Sequence, residues 1–206
     1  MSEDIQPRLE DVCAENERLR LQVAALQAEC ESHAERYRDV ESQNTSLTSL
    51  YVASHRLHGT LDRDEVLIVI QEIVTNLVGC EEIAIFERQE ADGPLALAAF
   101  TGIDGGVLAT APPDGVIGWC ARQARTFVSG AADDHVVRTR EEGHLSACVP
   151  LLLSGQVSGA IALFRLLPQK RSLEPLDHDL FDLLATQAAS ALHCARLHAG
   201  QSPVAS

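Results

Sequence analysis

The segment ACVPLLLSGQVSGAIALFR, residues 147–165, decides the fold. Two runs rich in branched apolar side chains meet at Ser154-Gly155, a turn dipeptide, so His144 to Leu153 and Gln156 to Leu167 read as the two strands of a β-hairpin. The strands are apolar at nearly every position instead of alternating, which requires cover on both faces of the sheet they enter. Upstream, Glu82 to Arg88 and Leu95 to Thr101 read as a second hairpin around the turn Gln89 to Pro94. Between the hairpins come a Gly/Pro-rich loop (Gly102 to Asp114), a short helix from Gly115 to Gln123 with the only tryptophan, Trp119, a brief strand Thr126-Phe127-Val128, and a polar connecting segment from Ser129 to Gly143.

Helices bracket these strands. One ends at Gly59, and Leu61, Asp62 and Asp64 open another, Glu65 to Leu77, closed by Gly79. Pro175 and Gly200 delimit a last helix with Leu176, Leu180, Leu183, Leu184, Gln187, Ala191 and Cys194 along one side. Helix, helix, hairpin, short helix, short strand, hairpin, helix predicts an α+β domain built on an antiparallel sheet.

The N-terminal quarter has a different grammar. No glycine or proline falls between Pro7 and Gly59, and steps of three and four connect Leu9, Val12, Asn16, Leu19, Val23, Leu26, Cys30, His33, Tyr37, Val40, Asn44, Leu47 and Tyr51. That is a heptad seam on a helix roughly 75 Å long at about 1.5 Å per residue. A lone helix leaves such a stripe in water, so a second helix is expected. Asn16 and Asn44 both occupy the first seam position of their heptads, where a buried amide favours two parallel strands. The flanks agree, setting Glu15 against Arg20 and Arg36 against Glu41 across a parallel pair. A heteromeric or antiparallel coil and a solitary helix are the other readings of this stripe. The expected organisation is a parallel coiled coil at 8–50, a globular domain at 51–199 and a disordered tail at 200–206.

The formal net charge is −14, from 30 acidic against 16 basic residues, with no compensating basic run, which argues against nucleic-acid and anionic-membrane binding. The N-terminus MSEDIQPRLE has neither a basic start nor an apolar stretch, and no segment reaches 18 continuous apolar residues, so no signal peptide or membrane span is expected and the location reads as cytoplasmic. The six cysteines, Cys13, Cys30, Cys80, Cys120, Cys148 and Cys194, form no CxxC pair or metal-ligand spacing. Free thiols in a reducing compartment follow, with no metal and no cofactor expected.

From Leu47 to Leu197 the chain resembles a GAF domain, the bacterial sensor relative of the PAS fold. The resemblance lies in SLYVASHRLHGTLDRDEVLIVIQEIVTNLVGCEEIAIFER, DGVIGWCARQARTFVSGAADD, ACVPLLLSGQVSGAIALFR and FDLLATQAASALHCARL, in that order. It implies a six-stranded antiparallel sheet flanked by helices, a cavity between one sheet face and the loops around the short helix, and first and last helices that pair with those of a second protomer. Fold alone does not give function, since this fold hosts unrelated activities.

Three functions follow from the resemblance. The first is a dimeric, non-enzymatic adaptor or scaffold that binds a protein partner, with a small molecule in the cavity as a regulator. The second is a small-molecule or redox sensor with its output on a separate protein. The third is an enzyme like the free methionine sulfoxide reductases, which use cavity cysteines; yet Arg138 to Ser146, the corresponding stretch, has none, and Cys120 and Cys148 read as buried structural thiols. The Asn-Lys…Phe…Asp-Glu pattern of cyclic-nucleotide-binding GAF domains does not occur, nor does the Cys-His of covalent bilin attachment. His135 and His144 read as loop histidines before haem ligands. The expected cavity residues are Phe86, Phe100, Trp119, Asp133, Asp134, His135 and Cys148, and the dimerisation residues Leu9, Val12, Asn16, Leu19, Val23, Leu26, Val40, Asn44 and Leu47.

Overall fold

The computed structural model describes residues 5–90, 93–106, 108–130, 136–170 and 172–201. The chain divides into two units, Met1–Thr48 and Ser49–Ser206, each taken by itself below.

The first unit is the greater part of one helix, α1 (Ile5–Leu57), uninterrupted because its one proline, Pro7, falls in the first turn and no glycine follows. Seam residues Leu19, Val23, Leu26, Val40 and Leu47 are all exposed on the single chain. The side chains of Leu9 and Val12 lie outside the described residues. Glu15 is engaged by Arg18 of its own helix, with Oε1 to Nη2 at 2.7 Å. An exposed pair of this kind contributes about 0.3–0.5 kcal/mol, too little to stop Glu15 from exchanging partners.

In the second unit the last turns of α1 bury Ala53 and Leu57. Asp62 then caps α2 (Arg63–Ile73), its Oδ1 accepting from the backbone N–H of Asp64 (2.8 Å) and Glu65 (3.1 Å). The helix widens into a π-turn over Val74–Val78 and stops at Gly79, whose φ of 75° is left-handed. The sheet comprises β1 (Ile83–Arg88), β2 (Leu95–Thr101), β3 (Phe127–Val128), β4 (Ala147–Leu153) and β5 (Gln156–Leu163), ordered β2-β1-β5-β4-β3 with every pairing antiparallel. A short helix α3 (Val116–Gln123) precedes β3, and α4 (Pro175–Gln201) ends the described chain. Pro150 fits in β4 because β3 pairs only with Ala147 and Cys148, which leaves β4 an edge where a residue without N–H is tolerated.

Faces follow from register. Ile83 and Ile85 of β1, Val149 and Leu151 of β4, and Ile161 and Leu163 of β5 meet α2, α4 and the end of α1 in one core. Ala84, Phe86, Cys148, Ala160 and Ala162 point the other way and meet α3 and its loops in a second. Burying each large apolar side chain here contributes about 1.5–3 kcal/mol. Each hairpin has one bulge, at Ala98 between Ile85↔Ala99 and Phe86↔Leu97, and at Ser158 between Leu151↔Gly159 and Leu152↔Val157.

Two expectations need correction. Five strands, not six, are found among the described residues; where the sixth belongs, an isolated bridge joins Ala96 to Thr110, flanked by Leu97 N–H to Ala109 O (3.0 Å) and Ala111 N–H to Leu95 O (2.9 Å). Pro112 and Pro113 follow at once and cannot donate to a longer ladder. Gly200 does not end the last helix, which continues to Gln201, because one glycine costs a helix only about 1 kcal/mol. Residues 202–206 of the expected tail lie outside the described residues. Among the described residues no helix is long and apolar enough to cross a membrane.

Candidate functional site

Gly115 sits at the N-cap of α3 in extended conformation and has no side chain to satisfy the first N–H groups. A carboxylate from the polar segment does so instead. Glu142, fully buried, accepts from Val116 N–H through Oε2 and Ile117 N–H through Oε1, both at 2.9 Å, and from Thr139 N–H through Oε2 at 3.0 Å. The negative charge also complements the helix dipole. Glycine is required at 115, since a Cβ there would overlap this carboxylate, and at 118, where it would overlap the Pro113 carbonyl.

Around α3 the structure assembles three of the expected cavity residues. Phe86 and Cys148 are buried in the loop-side core with Ile117, Cys120 and Phe127, and Trp119 packs against it half-buried. Trp119 meets Phe127 edge-to-face at 6.5 Å, and the Arg138 guanidinium lies 5.4 Å from the Phe127 ring centre while donating to Ser129 Oγ (2.9 Å) and the Leu145 carbonyl (3.3 Å). Phe100 stands apart: it is 49% exposed, with its ring over Gly105. Asp133, Asp134 and His135 lie outside the described residues. His144 is exposed.

The thiols on this face are buried. Cys120 Sγ donates to the Cys148 carbonyl at 3.4 Å, and both residues are fully buried. The hydrogen bond with Cys120, complete burial and the nearby Glu142 carboxylate hold the Cys148 thiol well above its ordinary pKa. On the helix side, Cys80 is pushed up to about 11, burial outweighing its hydrogen bonds. A thiol that keeps its proton is a poor nucleophile and a poor metal ligand. Among the described residues no three His, Cys, Asp or Glu side chains are placed to hold a metal ion.

The helix side carries a cluster that the sequence reading missed. Glu87 follows Ile83 and Ile85 on the inward face of β1, 5% exposed. Arg63, the first residue of α2, grips its Oε2 through Nε (2.9 Å) and Nη2, and Arg196 of α4 reaches Oε1 through Nη2 at 2.6 Å. Beside this triad opens a cleft of about 410 Å³ lined by Arg63, Glu87, Gln89, Ala96, Leu97, Ala98 and Arg196. A smaller hollow of about 40 Å³ adjoins it beyond Glu87 and Arg196, against Leu151, Leu153, Ser158 and Leu192. The available signal was a lone carboxylate at the third inward position of an apolar strand.

One antiparallel sheet, a helical layer on one face, and a short helix held down by loops on the other place the second unit among the α+β domains. The chain belongs to the GAF domain family, whose model matches residues 60–193. A methyl-accepting chemotaxis protein fragment (residues 122 to 287) is 26% identical, with TM-score 0.56, over 71% of this chain and 98% of that one. The GAF domain of a phosphoenolpyruvate-protein phosphotransferase from Acinetobacter shares the fold at 18% identity and TM-score 0.58, over 78% of this chain and 98% of that one. So does a free methionine-R-sulfoxide reductase from Neisseria meningitidis, solved with its substrate, at 18% identity and TM-score 0.59 over 74% and 91%. Comparison with curated proteins gives no match. The protein is thus a GAF module of the signalling and sensor kind.

Proposed function

We propose that this GAF module is a non-catalytic, cytoplasmic, dimeric adaptor, with a parallel coiled coil over residues 8–50 and a GAF domain over 51–199, that serves a protein partner. The observation that carries the non-catalytic reading is the filling of the loop-side face. Phe86, Cys120, Phe127 and Cys148 are fully buried there, and the N-terminus of α3 is occupied by the chain's own Glu142. Catalysis by a thiol needs an exposed, electropositive setting, and neither cysteine has one. The dimer reading rests on the exposed stripe of α1, for which a second copy is the matching occupant: asparagines at 16 and 44 meet in register only in a parallel homotypic pair.

Native mass spectrometry together with an absorbance scan of the purified chain tests both halves. Twice the chain mass with no added small molecule is expected. A monomer removes the dimer, and a co-purified chromophore, or turnover of free methionine sulfoxide lost in Cys120→Ser, removes the non-catalytic adaptor. The alternative of a small-molecule sensor is favoured by one observation, the open cleft beside Glu87.

A further inference from the structure

Glu87 is a buried carboxylate that holds two guanidiniums brought by separate helices. Two positive groups on one negative group leave the triad with an excess positive charge. Asp64 touches Arg63 Nη1 at 3.1 Å, but its side chain is 85% exposed and its charge is largely screened by solvent. Each guanidinium has five N–H donors. Arg63 uses its Nε, Nη2 and Nη1 once each, on Glu87 and Asp64, and Arg196 uses Nη2 on Glu87 and Nη1 on the Arg88 carbonyl (3.3 Å). Donors are left over on both, and both side chains keep about two fifths of their surface open, 38% and 42%.

The space in front of them is shaped for a ligand. Ala96 and Ala98 are small, so the floor lies low, and about 410 Å³ falls within the range of small-molecule sites, about 300–1,000 Å³. A buried Arg–Glu–Arg cluster serving only to clamp helices onto the sheet has no need of a cleft at its open donors. Guanidiniums fixed by a shared carboxylate are pre-organised, and the planar fork matches an oxyanion with two parallel hydrogen bonds.

We propose that this cleft binds a small organic anion, its carboxylate or phosphate held between Arg63 and Arg196 and its apolar part resting on Ala96, Leu97 and Ala98. The site lies on the helical side of the sheet, opposite α3, and stands independently of the adaptor reading. Because Arg63 opens α2 and Arg196 lies in α4, an anion held by both ties the two helices together.

The test is calorimetric titration of the full chain at constant ionic strength, with inorganic phosphate as one probe and succinate as another. Saturable binding of at least one probe is expected, with the affinity reduced tenfold or more in both Arg63→Gln and Arg196→Gln and unchanged in Arg122→Gln on the other face. The probe that binds distinguishes phosphate from carboxylate. If a glutamine variant unfolds, Arg63→Lys and Arg196→Lys keep the charge, lose the fork, and are expected to weaken binding at least threefold. Failure of both probes to saturate at 10 mM (about a hundredfold above a 100 µM site), or affinities unmoved by either pair of variants, overturns the site. Neither result bears on the dimer mass, so it fails or stands apart from the adaptor.

Discussion

Removing the Glu142 side chain should cost the domain far more than its place in a polar segment suggests. In Glu142→Ala the N–H groups of Val116, Ile117 and Thr139 lose their shared acceptor in a buried setting. A buried donor left without a partner costs about 1–3 kcal/mol, and neighbouring losses overlap, so about 3–5 kcal/mol is expected in all. With a urea m-value of about 2 kcal/mol/M, that moves the midpoint by about 2 M. Glu142→Gln should lose about half as much: its remaining oxygen can serve Val116 and Thr139, while its NH2 faces the N–H of Ile117. Urea unfolding followed by Trp119 fluorescence, which reports from α3 itself, alongside circular dichroism for the whole chain, measures both variants. A shift under about 0.5 kcal/mol for Glu142→Ala, typical of a surface change, would refute the reasoning. So would equal losses in the two variants.

Three other outcomes are expected. Iodoacetamide at pH 8 should label Cys13 and Cys194, which are exposed, and spare Cys80, Cys120 and Cys148 until urea is added; peptide mass spectrometry reads the sites. The sign is fixed for Cys80 and Cys148, since thiols whose pKa is raised stay protonated and unreactive until the pH climbs, for Cys80 towards about 11. Leu19→Ala with Leu26→Ala should weaken the dimer by several kcal/mol, each buried leucine contributing about 2–5, and light scattering should show a concentration-dependent monomer. Oxidised glutathione should crosslink the chain through Cys30, a first seam position like Asn16 and Asn44, in a Cys13→Ser background; no interchain disulfide on a denaturing gel would count against the parallel register.

Local chemistry made much of this fold legible. Ser154-Gly155 and the left-handed Gly79 marked a turn and a helix end, Asp62 marked a helix start, and the strand Leu95–Thr101 has the limits its pattern gives. What escaped depends on partners distant in sequence. Glu142 looked like one charge in a solvated run, and only folding shows that Gly115, 27 positions earlier, leaves it a buried seat. Arg63, Glu87 and Arg196 come from three separate elements, and no spacing rule joins them. Phe100 is one of the few large aromatics the chain offers to a cavity, yet it lies near the end of an edge strand where cover runs out.

The single extra residue in β2 has a consequence for how this hairpin tolerates change in length. A strand keeps a two-residue rhythm, so one uncounted residue inverts everything on one side of it. Ala98 is that residue. It lets Leu95 and Leu97 join the loop-side core while Ala96, opposite Glu87, shows the helices only a methyl group. Deleting Ala98 would remove the bulge and leave Leu97 opposite Phe86 and Ala96 opposite Glu87, whereas drawing Ala98 into the ladder would turn both leucines towards the arginines. The hairpin can therefore shed this one residue without any leucine or charged side chain changing face.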